Sequence, residues 1–146
     1  MAKKRSLAKQ KKPEPHLAAA LFCEKVLEDK DGVLSAVRIV DKIIMQSVAA
    51  VPPEAPKPVV ALTALIVFRA IGLKGKRRIR VTGEDPTGTR LMNEITVPGV
   101  FKGPRSNFNL RANMVIPVDR EGIYWFTVYL ENRIVARMPL EVEFQK

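Results

Sequence analysis

Cysteine and histidine occur once each in this chain, at Cys23 and His16. A single thiol excludes an internal disulfide and gives no sign of an oxidising compartment, so a reducing cytoplasm is the expected setting. One Cys and one His also fall short of the N/S ligand set of a zinc or transition-metal site; no metal and no other cofactor is expected. Glycine-rich phosphate loops are lacking as well, because Gly72 and Gly75 are not followed by the residues such a loop needs. The most apolar run, Val59 to Phe68, is about half of the roughly 20 residues that a spanning helix requires. It reads as a buried strand. No internal repeat of fixed period is visible.

Acidic residues are missing from the start of the chain. Lys3, Lys4, Arg5, Lys9, Lys11 and Lys12 all precede the first acid, Glu14, and supply most of a formal net charge of +10. Cations interspersed with Ser, Gln and Ala cannot bury enough apolar surface to offset ordering entropy, so residues 1–15 are expected to be a disordered basic arm. A basic start followed by Leu17 to Cys23 has the outline of an export signal ending in cysteine. Pro13, Glu14, Pro15 and His16 interrupt the approach, however, and bulky Phe22 sits where cleavage wants a small residue, so export is not expected.

Residues 16–146 are long enough for one domain with a real core. Short apolar runs separated by turn chemistry indicate extended structure throughout. Ile123 to Leu130 and Ile134 to Phe144, parted only by Glu131, Asn132 and Arg133, form the clearest hairpin. In the second run Ile134, Ala136, Met138, Leu140, Val142 and Phe144 alternate with Val135, Arg137, Pro139, Glu141 and Glu143, setting a core face against a wet one. Further strands are expected at His16 to Leu27, Val33 to Met45, Val59 to Arg69, Lys76 to Gly83, Arg90 to Val97 and Asn107 to Val118. Helix remains an alternative for Ala18 to Glu28, where alanine and leucine favour it. Pro52, Pro53, Pro56 and Pro58 mark a surface crossing, and Asp85-Pro86-Thr87-Gly88 matches a type I turn. The expected fold is all-β: a two-layer antiparallel β-sandwich, Ig-like or C2-like, of about eight strands.

Phe22-Cys23-Glu24-Lys25, Asp31-Gly32-Val33-Leu34-Ser35, Gly122-Ile123-Tyr124-Trp125-Phe126 and Arg137-Met138-Pro139-Leu140 resemble a family of small uncharacterised bacterial all-β proteins. The resemblance spans most of residues 16–144 and leaves the basic arm outside. It implies a sandwich and carries no activity or catalytic residue with it.

No set of side chains assembles a reaction centre. His16 and Cys23, seven apart, would project to opposite faces of one strand and sit far apart on one helix, so a base–thiol dyad is not expected. Asp29 and Asp31 before Gly32 begin like a calcium loop, but Val33 occupies the next ligand position and the motif stops. Lys76, Arg78 and Arg80 recur at period two and should form a cationic stripe, with Arg77 on the other side beside Ile79 and Val81. Such a stripe meets phosphate or simply faces water and keeps an edge from aggregating. Trp125 and Tyr129 share one face, while Tyr124, Phe126, Val128 and Leu130 take the core face. The expectation is a non-catalytic interaction module, first of all for a protein partner. Nucleic acid bound through the arm (Lys3, Lys4, Arg5, Lys9, Lys11 and Lys12) and the stripe (Lys76, Arg78 and Arg80) is the alternative, followed by an anionic membrane surface. No small-molecule substrate is inferred.

Overall fold

In the computed structural model, residues 14–46, 54–91 and 94–145 are described; the six arm cations lie outside them. Nine strands follow in order: β1 (His16–Glu28), β2 (Leu34–Val40), β3 (Lys42–Gln46), β4 (Val59–Ile71), β5 (Lys74–Glu84), β6 (Ile95–Lys102), β7 (Arg105–Pro117), β8 (Gly122–Leu130) and β9 (Arg133–Gln145). They form a four-stranded sheet, β2-β1-β4-β7, and a five-stranded sheet, β3-β9-β8-β5-β6. The all-β two-sheet architecture therefore holds, and Ala18 to Glu28 is strand, not helix. Among the described residues no helix is long and apolar enough to cross a membrane.

Two strand expectations need correction. Val33 to Met45 is not one strand. It breaks at Asp41, so that β2 pairs with β1 in one sheet while β3 pairs in parallel with β9 in the other. The backbone carbonyl of Asp41 accepts from the Glu141 N–H at 3.0 Å and fastens this corner. One parallel pair thus interrupts an otherwise antiparallel design. The strand expected at Arg90 to Val97 instead runs from Ile95 to Lys102, through Pro98 and Gly99, two residues that ordinarily break strands. The reason is position: β6 is an edge strand, where proline's missing donor can be tolerated. Gly99 gives Ile79 the space its side chain needs, since a Cβ there would stand 2.7 Å from Ile79 Cδ1.

The core lies between the sheets. From the four-stranded layer come Phe22, Ile66, Phe68 and Ile116; from the other come Ile79, Tyr124, Phe126 and Leu140. Phe22 and Phe126 join the layers edge to face, with ring centroids 4.9 Å apart. Gly83 pairs with Phe126 across the sheet, and a Cβ on it would stand 2.8 Å from that ring. Gly122, at φ 131°, has Pro86 Cβ only 2.7 Å from where its own Cβ would be. Gly122→Ala is therefore strained in backbone and in space, and should lower the unfolding free energy by about 1–3 kcal/mol, measured by urea titration. Tyr124 packs without exposure and donates its hydroxyl to the Arg120 carbonyl at 2.9 Å, tying strand to preceding turn as tyrosine corners do.

The four-stranded sheet is covered on both faces. Arg111 is paired with Leu65, and Leu65 with Leu21, yet the Arg111 guanidinium meets the Glu28 carboxylate at 3.0 Å. In a straight strand Glu28 would lie about 24 Å beyond Leu21, farther than two side chains can span. β1 must therefore bend. Its first part pairs with β4 as far as Cys23, and its remainder carries β2 back over the sheet's outer face. Cys23, Thr63, Leu65 and Val67, which point away from the core, are buried as a result. This explains why Val59 to Phe68 is apolar on both sides. A cavity of about 570 Å³ remains under the hairpin, with Ala19, Leu65 and Val67 on one side, Val33, Leu34 and Ala36 on the other, and Arg69, Asn107 and Asn109 at its rim.

Candidate functional site

Ile79 and Val81 fill the core with almost no exposure, which forces Lys76, Arg78 and Arg80 onto the outer face of the five-stranded sheet. The period-two stripe is present as expected, with Arg77 on the opposite side. What the spacing could not show is its neighbour. β8 lies beside β5 in a register that sets Arg80 opposite Tyr129, Thr82 opposite Thr127 and Glu84 opposite Trp125. Stripe and aromatic pair therefore share one surface.

Each ring carries an arginine. The Arg80 guanidinium carbon stands 4.1 Å from the Tyr129 ring centroid, and that of Arg137, from β9, stands 4.4 Å from the Trp125 centroid. Glu94 receives an Arg80 N–H at 3.4 Å, which helps hold the guanidinium over the ring and balances its charge. Stacking of this kind contributes about 0.5–1 kcal/mol at exposed positions. Arg137 was legible only as one member of a solvent face. A bulge between Val128 and Tyr129 shifts the β8–β9 register, and spacing alone does not place it against Trp125.

Cations gather toward one end of this face. The Arg78 main-chain N–H donates to Glu131 Oε1 at 2.8 Å, and its side chain reaches Asn132 Oδ1 at 3.1 Å. Both acceptors belong to the β8–β9 turn, where Glu131 adopts φ 53°. Arg133 of the same turn meets Glu14 at 3.1 Å, and Pro15 beside it is buried. Glu14, Pro15, Arg77, Leu130, Glu131, Asn132 and Arg133 surround a recess of about 440 Å³. The described chain thus begins, at Glu14, at the end of the sandwich where Arg77, Arg78 and Arg133 lie, and Lys3 to Lys12 precede it in the sequence. Lys76 continues the stripe beside this recess and is exposed.

The remaining candidates resolve into structural roles. Cys23 is fully buried, its thiol 3.7 Å from the Thr63 carbonyl, and burial pushes its pKa up. His16 is exposed at the other end of the same contact with β4, opposite Arg69, so the two do not meet. In the native state Cys23 should resist thiol-specific reagents and react only on unfolding; rapid native labelling would contradict its placement. Asp29 accepts the N–H groups of Asp31 and Val33 at 2.8 and 3.0 Å, and Asp85 those of Thr87 and Thr89 at 2.8 and 3.0 Å. These carboxylates hold their own turns. Among the described residues no group of three or more His, Cys, Asp or Glu could hold a metal ion.

Two aspartates titrate below the ordinary aspartate range. The Thr87 hydroxyl, before the turn's N–H groups, lowers Asp85, and the hydrogen bond from Lys57, at 3.0 Å, lowers Asp119. A depressed folded pKa supplies stability that is complete above the unfolded aspartate value, near 3.9, and is lost as pH falls through the folded one. The unfolding free energy should therefore drop below about pH 4, and Asp85→Asn with Asp119→Asn should flatten that drop, as followed by denaturant titration between neutral and acid pH.

The model of a family of unknown function (DUF6941) matches residues 18–143. The matched span begins within β1 and leaves the basic arm outside. No curated protein matches the chain.

Proposed function

We propose, for a chain that belongs to the DUF6941 family, a non-catalytic binding role in which the basic arm and the cationic end of β5 together hold the phosphate backbone of a nucleic acid. One observation carries this reading: the root of the arm is seated by Pro15 and the Glu14–Arg133 contact beside Arg77 and Arg78. The six cations of the leader and those at the end of the strand then act on the same length of polymer. Arginines at fixed positions offer forked donors to phosphate oxygens, and the leader adds charge without demanding a fixed register. No residue is assigned a catalytic role.

Affinity for a labelled oligonucleotide tests this. Reversing the charge at Lys76 and Arg78 together should weaken binding at least tenfold at low salt and reduce the steepness of its salt dependence. Unchanged affinity and slope would remove the strand from the site. Vesicles with and without anionic lipid serve as the comparison for a membrane surface, which would meet the same cations.

A protein partner is the competing proposal, supported by a different surface. The β1–β2 hairpin, folded over the outer face of the four-stranded sheet, exposes Leu27, Val33 and Ile39 by 49, 61 and 64%, and exposed apolar side chains suit a protein contact better than a phosphate backbone.

A further inference from the structure

We infer that the outer face of the five-stranded sheet is a base-stacking surface for single-stranded RNA. The inference rests on the nucleic-acid reading above and narrows it: the arm and the end of β5 hold phosphate, whereas this face distinguishes the strand state of the polymer.

Trp125 and Tyr129 lie four residues apart on one face of β8, about 13 Å along the strand. Consecutive stacked nucleotides rise only about 3.4 Å, so the two rings do not receive adjacent stacked bases. They suit a strand that has been drawn out, with its bases separated and laid one by one on the sheet. Each ring already carries a guanidinium, Arg137 at 4.4 Å from Trp125 and Arg80 at 4.1 Å from Tyr129. Both rings are only partly exposed, and a guanidinium plane is itself a surface on which bases stack. Because Glu94 balances Arg80, this part of the face supplies stacking more than charge. Lys76 and Arg78, farther along the same strand, supply the charge.

Thr127 lies partly exposed in the row between the two platforms, opposite Thr82, which is 7% exposed, so of the two only Thr127 is open to a ligand. A ribose crossing from one platform to the other passes over this hydroxyl-bearing row, and its 2′-OH is both donor and acceptor. That step favours RNA over DNA. A duplex keeps its bases stacked inside and has nothing to lay on the rings.

Trp125 is the only tryptophan of the chain, so its fluorescence reports directly on this face. Titrating the full chain with a short oligouridylate should quench it, while an RNA duplex of the same charge should bind through phosphate contacts without quenching. Tyr129→Ala should weaken oligouridylate binding by roughly five- to a hundredfold and leave the salt dependence unchanged; Tyr129→Phe, which keeps the ring, should retain affinity. Single-strand and duplex binding of equal strength, with no change at Trp125, would overturn the stacking surface and leave the phosphate-binding role standing. Absence of binding to both would overturn the role itself. An oligodeoxyuridylate that binds and quenches as strongly as the RNA would overturn the assignment to RNA.

Discussion

Deleting residues 1–12 should cost the protein two to three orders of magnitude in nucleic-acid affinity at 50 mM salt, with a much smaller loss at 200 mM. The reasoning is counterion release. Lys3, Lys4, Arg5, Lys9, Lys11 and Lys12 can neutralise six phosphates, and each phosphate contact on a single strand contributes a slope of about −0.7 to the dependence of log affinity on log salt. Six contacts amount to a slope of about −4, and over a fourfold change in salt this is a factor of several hundred. The shortened chain should keep only the shallower dependence supplied by Lys76, Arg78 and their neighbours. Since the matched family span starts at residue 18 and β1 begins at His16, the deletion should leave the sandwich intact, and an unchanged thermal transition then separates altered affinity from altered folding. Equal affinities and equal slopes for the two chains would show that the arm contributes nothing.

Phe126→Ala should lower the unfolding free energy by about 3–5 kcal/mol, the largest loss expected from one core truncation here. Phe126 is fully buried, meets Phe22 of the opposite sheet at a 4.9 Å centroid separation, and lies so close to Gly83 that a Cβ there would stand 2.8 Å from the ring. Removing the ring takes away the contact between layers and leaves a space that neither glycine nor the rigid strands can fill. For a domain of this size such a loss is a large part of total stability. Denaturant titration should show a lower midpoint with the same slope; a loss under about 1 kcal/mol would mean that the sheets close over the gap. Combining Phe22→Leu with Phe126→Leu should reveal a coupling of about 0.5–1.5 kcal/mol beyond the separate effects.

Both predictions draw on features of different legibility. Phe126 was readable as a core residue because alternation along Ile123 to Leu130 assigns it, with Tyr124, Val128 and Leu130, to one face. The same period separated Lys76, Arg78 and Arg80 from Ile79 and Val81. Chain breakers were harder. Pro98 and Gly99 look like a loop until the strand that holds them is known to lie at a sheet edge, where one side of the backbone has no partner. Pro139 is accommodated within β9 for a related reason: β3 reaches only Glu141 to Gln145, leaving the side away from β8 open at the proline.

Period-two patterning, turn residues and the acid-free leader are properties of neighbouring residues, and from them alone follow the all-β class, the uneven charge and the core faces except at Ile134, which the bulge in the β8–β9 pairing sets opposite Tyr129 and leaves 54% exposed. Which strands lie side by side is a matter of contacts between residues distant in the chain, and no local pattern carries it. Tertiary structure alone therefore bent β1 so that Glu28 reaches Arg111, sent β3 to the opposite sheet in parallel with β9, and laid Arg80 over Tyr129 and Arg137 over Trp125. It also brought the start of the domain to the cationic end of β5, because burial of Pro15 and pairing of β1 with β4 leave the chain one place to enter.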